Sequence, residues 1–82
     1  MRLADEIREY VLVAHIKPAR RRGAATVTVR TGDLHKAMGL VDRMPAVCSA
    51  LEAAKFEEYA GVHLIEREGP PQGATVRLTF EV

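Results

Sequence analysis

The sequence has one cysteine, no tryptophan, two tyrosines and two phenylalanines, and it contains no apolar run near the roughly 20 residues that a membrane-spanning helix needs. A single thiol cannot form an internal disulfide. No Cys or His lies at the spacing of a zinc site either, so neither a cross-link nor a metal is expected to hold this fold, and no cofactor motif is present. That cysteine usage fits a reducing, intracellular compartment. Charges interrupt "MRLADEIREY" where a secretory signal would place its apolar segment, so the chain is expected in the cytoplasm and not at a membrane.

Charge of one sign is also scarce: 12 Lys and Arg against 11 Asp and Glu leave a formal net charge of +1. Nucleic-acid-binding domains usually show a clear basic excess, so any surface for a polyanion has to be a local patch. Basic residues gather at Lys17, Arg20, Arg21 and Arg22, whereas Glu52, Glu57, Glu58, Glu66 and Glu68 make the later part acidic.

What is present is a chain of 82 residues, 48% hydrophobic, with no linker, internal repeat or low-complexity tract. It has room for one domain, residues 1–82, near the lower size at which an apolar core offsets the entropy of ordering. In "RLADEIREYVLVAHIK", Leu3, Ile7, Tyr10, Val11 and Ala14 form one helical stripe. Pro18 disfavours the helical conformation at Lys17, which predicts an end near Ile16, with an extra turn to Arg22 as the alternative, before Gly23.

"TVTVR" alternates Val27 and Val29 with Thr26, Thr28 and Arg30, as a short strand does. Thr31 is expected to cap the next helix through its hydroxyl, with Leu34, Ala37 and Met38 buried and Gly39 closing the helix. Asp42 is expected to cap the helix after the turn, where Pro45 is tolerated in the first turn and Met44, Val47, Cys48 and Leu51 form the buried stripe. That helix is expected to run to about Ala53. "KFEEYAG" then continues it, distorted or as a separate short helix that buries Phe56 and Tyr59. The chain ends in a hairpin, "VHLIER" and "TVRLTFEV" joined by "EGPPQGA", with Val76, Leu78, Phe80 and Val82 on one face.

The order helix, strand, helix, helix, strand, strand resembles the winged helix-turn-helix family over almost the whole chain. Gly39 stands where that family has its turn glycine, and Leu34, Ala37, Val47 and Leu51 stand at its core positions. "GDLHKAMGL" with "RMPAVCSAL" is also similar to a group of small uncharacterised archaeal proteins of this kind, on which no function is rested. The resemblance implies an α+β fold in which "TVTVR" joins the final hairpin in a three-stranded antiparallel sheet. It also implies that "RMPAVCSALEA" is the recognition helix and that "EGPPQGA" is the wing. A DNA-binding role in transcription or chromatin is the family's default, although such domains also serve as protein-interaction or dimerisation modules.

The residues qualify that default. A step of 100° per residue places Ala46, Ser49 and Ala53 on the open face of the recognition helix, with Arg43, Pro45, Ala50 and Glu52 at its rim. Base reading relies chiefly on Arg, Asn and Gln, so this small face is poorly equipped for it. Phosphate contacts are better supplied. The amides of Gly32 and Asp33, the Thr31 hydroxyl and Lys36 lie at a helix start that favours anions, and Arg30, Arg43, Lys55, Arg67 and Arg77 are candidates to surround it. The candidate DNA-binding residues are thus Thr31, Gly32, Lys36, Arg43, Ser49, Lys55, Arg67 and Arg77, with Glu66 and Glu68 opposing phosphate beside the wing.

Other features suggest structural roles. Arg20, Arg21 and Arg22 read as a solvated corner, and His15, His35 and His63 lack metal-ligand spacing. Cys48 lies on the buried stripe, where a thiol is usually inert. No pattern of an enzyme active site is found. Two readings remain, a duplex-DNA binder acting through backbone phosphates and a protein-interaction module of the same fold. A homodimer is expected through Leu12 and Ile16, which point away from a core centred on Ile7.

Overall fold

The computed structural model describes residues 2–82. Helix α1 spans Leu3–Val11, a stretch without Gly or Pro that carries Asp5 and Glu6 in its first turn, where acidic groups favour the helix dipole. Ile7 and Val11 are fully buried along its inner stripe. The helix then widens into a π turn over Leu12–Ile16, in which the Lys17 amide donates to the Leu12 carbonyl five residues back, and resumes as α2, Lys17–Arg21. Pro18 has no amide hydrogen and its ring crowds the carbonyl four residues earlier, at Ala14; a wide turn there accommodates both effects.

The π turn corrects two expectations. It inserts an extra residue between buried positions, so Val11 is followed on the inner face by Ile16, five residues on, and not by Ala14. Ala14 is exposed and Ile16 is wholly buried. Leu12 is half-buried and packs against the core, so the surface expected to form a homodimer faces inward. The helix also passes Pro18 and reaches Arg21, taking the longer of the two endings.

Gly23, at φ 74°, turns the chain into β1, Thr26–Arg30. After α3 (Thr31–Ala37), α4 (Met44–Glu52) and α5 (Ala54–Ala60), the chain forms β2, His63–Glu68, and β3, Arg77–Glu81. The fold is therefore α+β, with a three-stranded antiparallel sheet in the order β1-β3-β2. The first strand pairs with the last, Val27 opposite Phe80 and Val29 opposite Leu78. Strand β2 meets the other edge of β3 with a bulge between Leu64 and Glu66. One sheet face packs on the helices through Val29, Leu64, Leu78 and Phe80. The other is open, and on it the Thr28 and Thr79 hydroxyls meet at 2.8 Å.

The rings of Phe56 and Phe80 meet edge-on, with centroids 5.2 Å apart, and join α5 to the sheet. Ala53 turns to extended backbone, ψ 144°, so α5 is a separate helix and α4 ends one residue before the expected Ala53. Short α5 turns Phe56 inward but leaves Tyr59 half-exposed, contrary to expectation. In the same way Ala37 is exposed at the end of α3, while Leu34 is buried and Met38 packs on the core edge. Ala50, expected at the rim of α4, is buried under α1, whose Arg8 donates to the Ala50 carbonyl at 2.9 Å.

Candidate nucleic-acid interface

The helix pair α3–α4 is set by its turn. Gly39 takes φ 65°, and the Leu40 amide donates to the His35 carbonyl, which closes α3. Asp42 does not cap α4: its backbone is itself left-handed, φ 53°, and the cap position belongs to Arg43. The Arg43 amide, at the cap position, donates to His35 Nε2 at 3.2 Å, a bond from α3 that the sequence does not announce. This bond fixes the start of α4 beside α3. Lys36 and Arg43 both project to solvent, and neither forms an ion pair among the described residues.

The start of α3 differs from the anion site that the sequence suggests. Thr31 is fully buried, and its hydroxyl donates to the Gly73 carbonyl at 2.6 Å while its amide donates to the Val76 carbonyl at 2.9 Å. The Gly32 amide donates to the Ala74 carbonyl at 3.0 Å. These donors are occupied by the segment leading into β3 and cannot also hold a phosphate. Arg30 turns to the Asp33 carboxylate at 3.1 Å. The side-chain cap expected of Thr31 does not form, because Arg30 stands at the cap position and Thr31 is already helical.

Arg67 is likewise committed. Its Nε donates to Glu52 at 2.6 Å, and its two terminal nitrogens donate to the carbonyls of Gly69, Pro70 and Pro71 at 3.1, 2.7 and 2.6 Å. A planar guanidinium with five donors suits such a cluster of acceptors. The side chain expected at phosphate thus shapes the hairpin loop and ties it to α4. Lys55 also departs from the expected surface: it lies in a cleft of about 280 Å³ with Asp5, Arg8, Glu9 and Tyr59, between α1 and α5.

Of the candidates, Lys36, Arg43, Ser49, Arg77 and, on the α1–α5 cleft, Lys55 are exposed. Ser49 and Pro45 are exposed on α4 and Ala46 is half-buried, so the outward face is small and neutral, as the sequence suggests. Arg77 lies on the open sheet face, in register between Arg30 and Glu68. Val41, at the tip of the turn, is 75% exposed, an apolar feature that sequence reasoning passed over as part of a turn.

Arg20, expected at a solvated corner, and Arg8, for which no role is expected, both hold helix ends. Arg20 donates to the carbonyls of Ala60 and Gly61 at 2.7 and 2.9 Å, closing the C-terminus of α5. Arg8 does the same near the end of α4. Their partners lie 40 or more residues away in sequence, beyond the reach of local pattern. Cys48 is buried, 2% exposed. Burial lowers the His15 pKa from its usual 6.5, and the imidazole meets the Tyr10 ring edge-on. Among the described residues no group of three or more His, Cys, Asp or Glu is placed to hold a metal ion, and no helix is long and apolar enough to cross a membrane. No protein-family model matches this chain, and no curated protein or solved structure is significantly similar to it.

Proposed function

We propose that the chain is a winged-helix domain that lies on duplex DNA through the phosphate backbone, as a transcription- or chromatin-associated factor. The observation that carries this reading is the charge balance of the α3–α4 pair. Its carboxylates Asp33 and Glu52 are taken up by Arg30 and Arg67, and among the described residues the exposed charges left without an ion pair are two cations, Lys36 and Arg43, against one anion, Asp42 in the turn. The small face at Pro45 and Ser49 lets α4 approach a groove closely but supplies no bidentate base reader. Binding of this kind is tuned by salt and indifferent to sequence. Titration of unrelated duplexes at two salt concentrations tests it: affinity should fall steeply with salt, and the duplexes should compete equally. Absence of binding at low ionic strength refutes the reading.

Val41 favours a second reading. The uncharged outward face of α4 at Pro45, Ala46 and Ser49, with Val41 75% exposed at the tip of the preceding turn, also suits a protein partner. The two separate in one experiment, because Val41→Ser leaves phosphate contacts intact and removes the apolar one.

A further inference from the structure

The outward face of α1 and α2 carries a row that neither the core nor the proposed DNA surface uses. Asp5, Glu9, Val13, Lys17 and Arg21 recur every four residues, and all five are exposed, Val13 at 54%. In a regular α-helix a four-residue step overshoots the turn by about 40°, so such a row drifts around the cylinder. The π turn over Leu12–Ile16 holds more residues per turn and opposes that drift midway along the row.

The row is ordered by charge: two acids, an apolar centre, two bases. A two-fold axis at Val13, perpendicular to the helix, exchanges the acidic half of one copy with the basic half of another. We propose that α1–α2 pairs antiparallel with the same helix of a second copy of this chain, Val13 against Val13. Glu9 then faces Lys17 of the second copy and Asp5 faces its Arg21, and symmetry repeats each pair. A parallel pair would set acid on acid and base on base, so the charge order selects one orientation.

Two further observations favour this occupant. Glu9, Lys17 and Arg21 have no ion-pair partner within the chain among the described residues, and Asp5 has only a 3.6 Å contact with Arg8. Beside Val13 runs an open groove of about 330 Å³ lined by Glu6, Glu9, Tyr10, Val13 and Met38, which offers apolar surface at the axis with acidic groups beside it. The pairing goes beyond DNA binding and does not depend on it. It also differs from the dimer expected of Leu12 and Ile16, whose side chains turn into the fold.

Sedimentation equilibrium of the full chain at about 20 mM and about 500 mM salt tests the proposal, since exposed ion pairs are screened over that range. The expected result is a weak dimer whose dissociation constant rises at least tenfold at high salt. Glu9→Lys alone and Lys17→Glu alone should each weaken it at least tenfold. The double variant should regain it, and an equimolar mixture of the two single variants should form heterodimers. Circular dichroism confirms that these exposed substitutions leave the fold intact. A monomer at low salt up to about 1 mM protein overturns the proposal. So does a dimer that ignores the single reversals, or a double variant that fails to recover.

Discussion

Arg67 and Glu52 meet at 2.6 Å between β2 and α4, and the same guanidinium reaches three successive carbonyls of the hairpin loop. Charge-assisted bonds of this kind contribute about 1.5–3 kcal/mol where shielded, and partial exposure of both side chains lowers the share of each of the four bonds here. Arg67→Ala is expected to lower stability by about 2–3 kcal/mol in urea unfolding and to speed amide exchange around Gly69–Gly73 more than elsewhere. Arg67→Lys should recover little, since an ammonium cannot present the fork. A phosphate-binding Arg67 would give the reverse pattern, intact stability with weakened DNA binding.

At the start of α3 the same distinction can be made with smaller changes. Thr31→Val keeps the shape and deletes the 2.6 Å bond to the Gly73 carbonyl, with an expected loss of about 1–2 kcal/mol and no change in the salt slope of DNA binding. At Gly32 an added Cβ would lie 2.6 Å from the Ala74 oxygen and 2.9 Å from its Cβ. Gly32→Ala should therefore destabilise by about 1–3 kcal/mol, although alanine is the better helix former. A more stable Gly32→Ala protein would show that the loop does not seat against α3.

Lys36→Ala and Arg43→Ala are expected to reduce affinity for every duplex alike. Each should flatten the salt slope by about one unit per lost phosphate contact. Ser49→Ala should leave binding unchanged. A Ser49 variant that altered preference among duplexes would assign base reading to α4.

Ile16 is buried at the point where the π turn rephases the helix. Ile16→Val should cost about 0.5–1.5 kcal/mol and Ile16→Ala about 2–5 kcal/mol, read from the urea midpoint. Neither should change the association state of the folded fraction. If Ile16→Ala were neutral in stability but broke a dimer, the regular helical phase would be right after all.

His15 links stability to pH. Its imidazole is held below the usual 6.5 by burial, so the unfolded chain binds the proton more readily than the folded one. As pH falls from about 6.5 through the folded value, the unfolded state gains protons and stability declines; above 6.5 both states are neutral and the effect vanishes. His15→Gln should remove this slope, which a urea-midpoint series across that window would reveal.

Much of the fold could be read from local pattern, because its signals are local. Alternation in "TVTVR" and "TVRLTFEV" gave the strand faces, and Gly39 and Gly61 sit at φ 65° and 69° where helices were expected to end. The errors share a cause. Ala14 and Ile16 exchanged places because a fixed 100° step cannot foresee a π turn, which depends on Pro18 and on what the helix packs against. Thr31, Gly32 and Arg67 carry the chemistry of phosphate ligands, and the distinction lies in carbonyls more than 40 residues away for the first two and in the fold of the hairpin loop for the third. Exposure of Lys36 and Ser49 follows from the phase of α3 and α4, although the same phase misplaces Ala37 and Ala50, and Arg43 is exposed at the cap position before α4.

The loop between β2 and β3 is fastened on both limbs: Gly69, Pro70 and Pro71 accept from Arg67, and Gly73, Ala74 and Val76 accept from the first residues of α3. Between these two sets stands Gln72. A lengthened hairpin, whether arising by insertion during evolution or by grafting a guest peptide, has one place to enter without detaching either limb. Residues added at Gln72 would extend the tip while both anchors stay in register, whereas the same residues added after Ala74 would pull Val76 away from Thr31 and unseat α3.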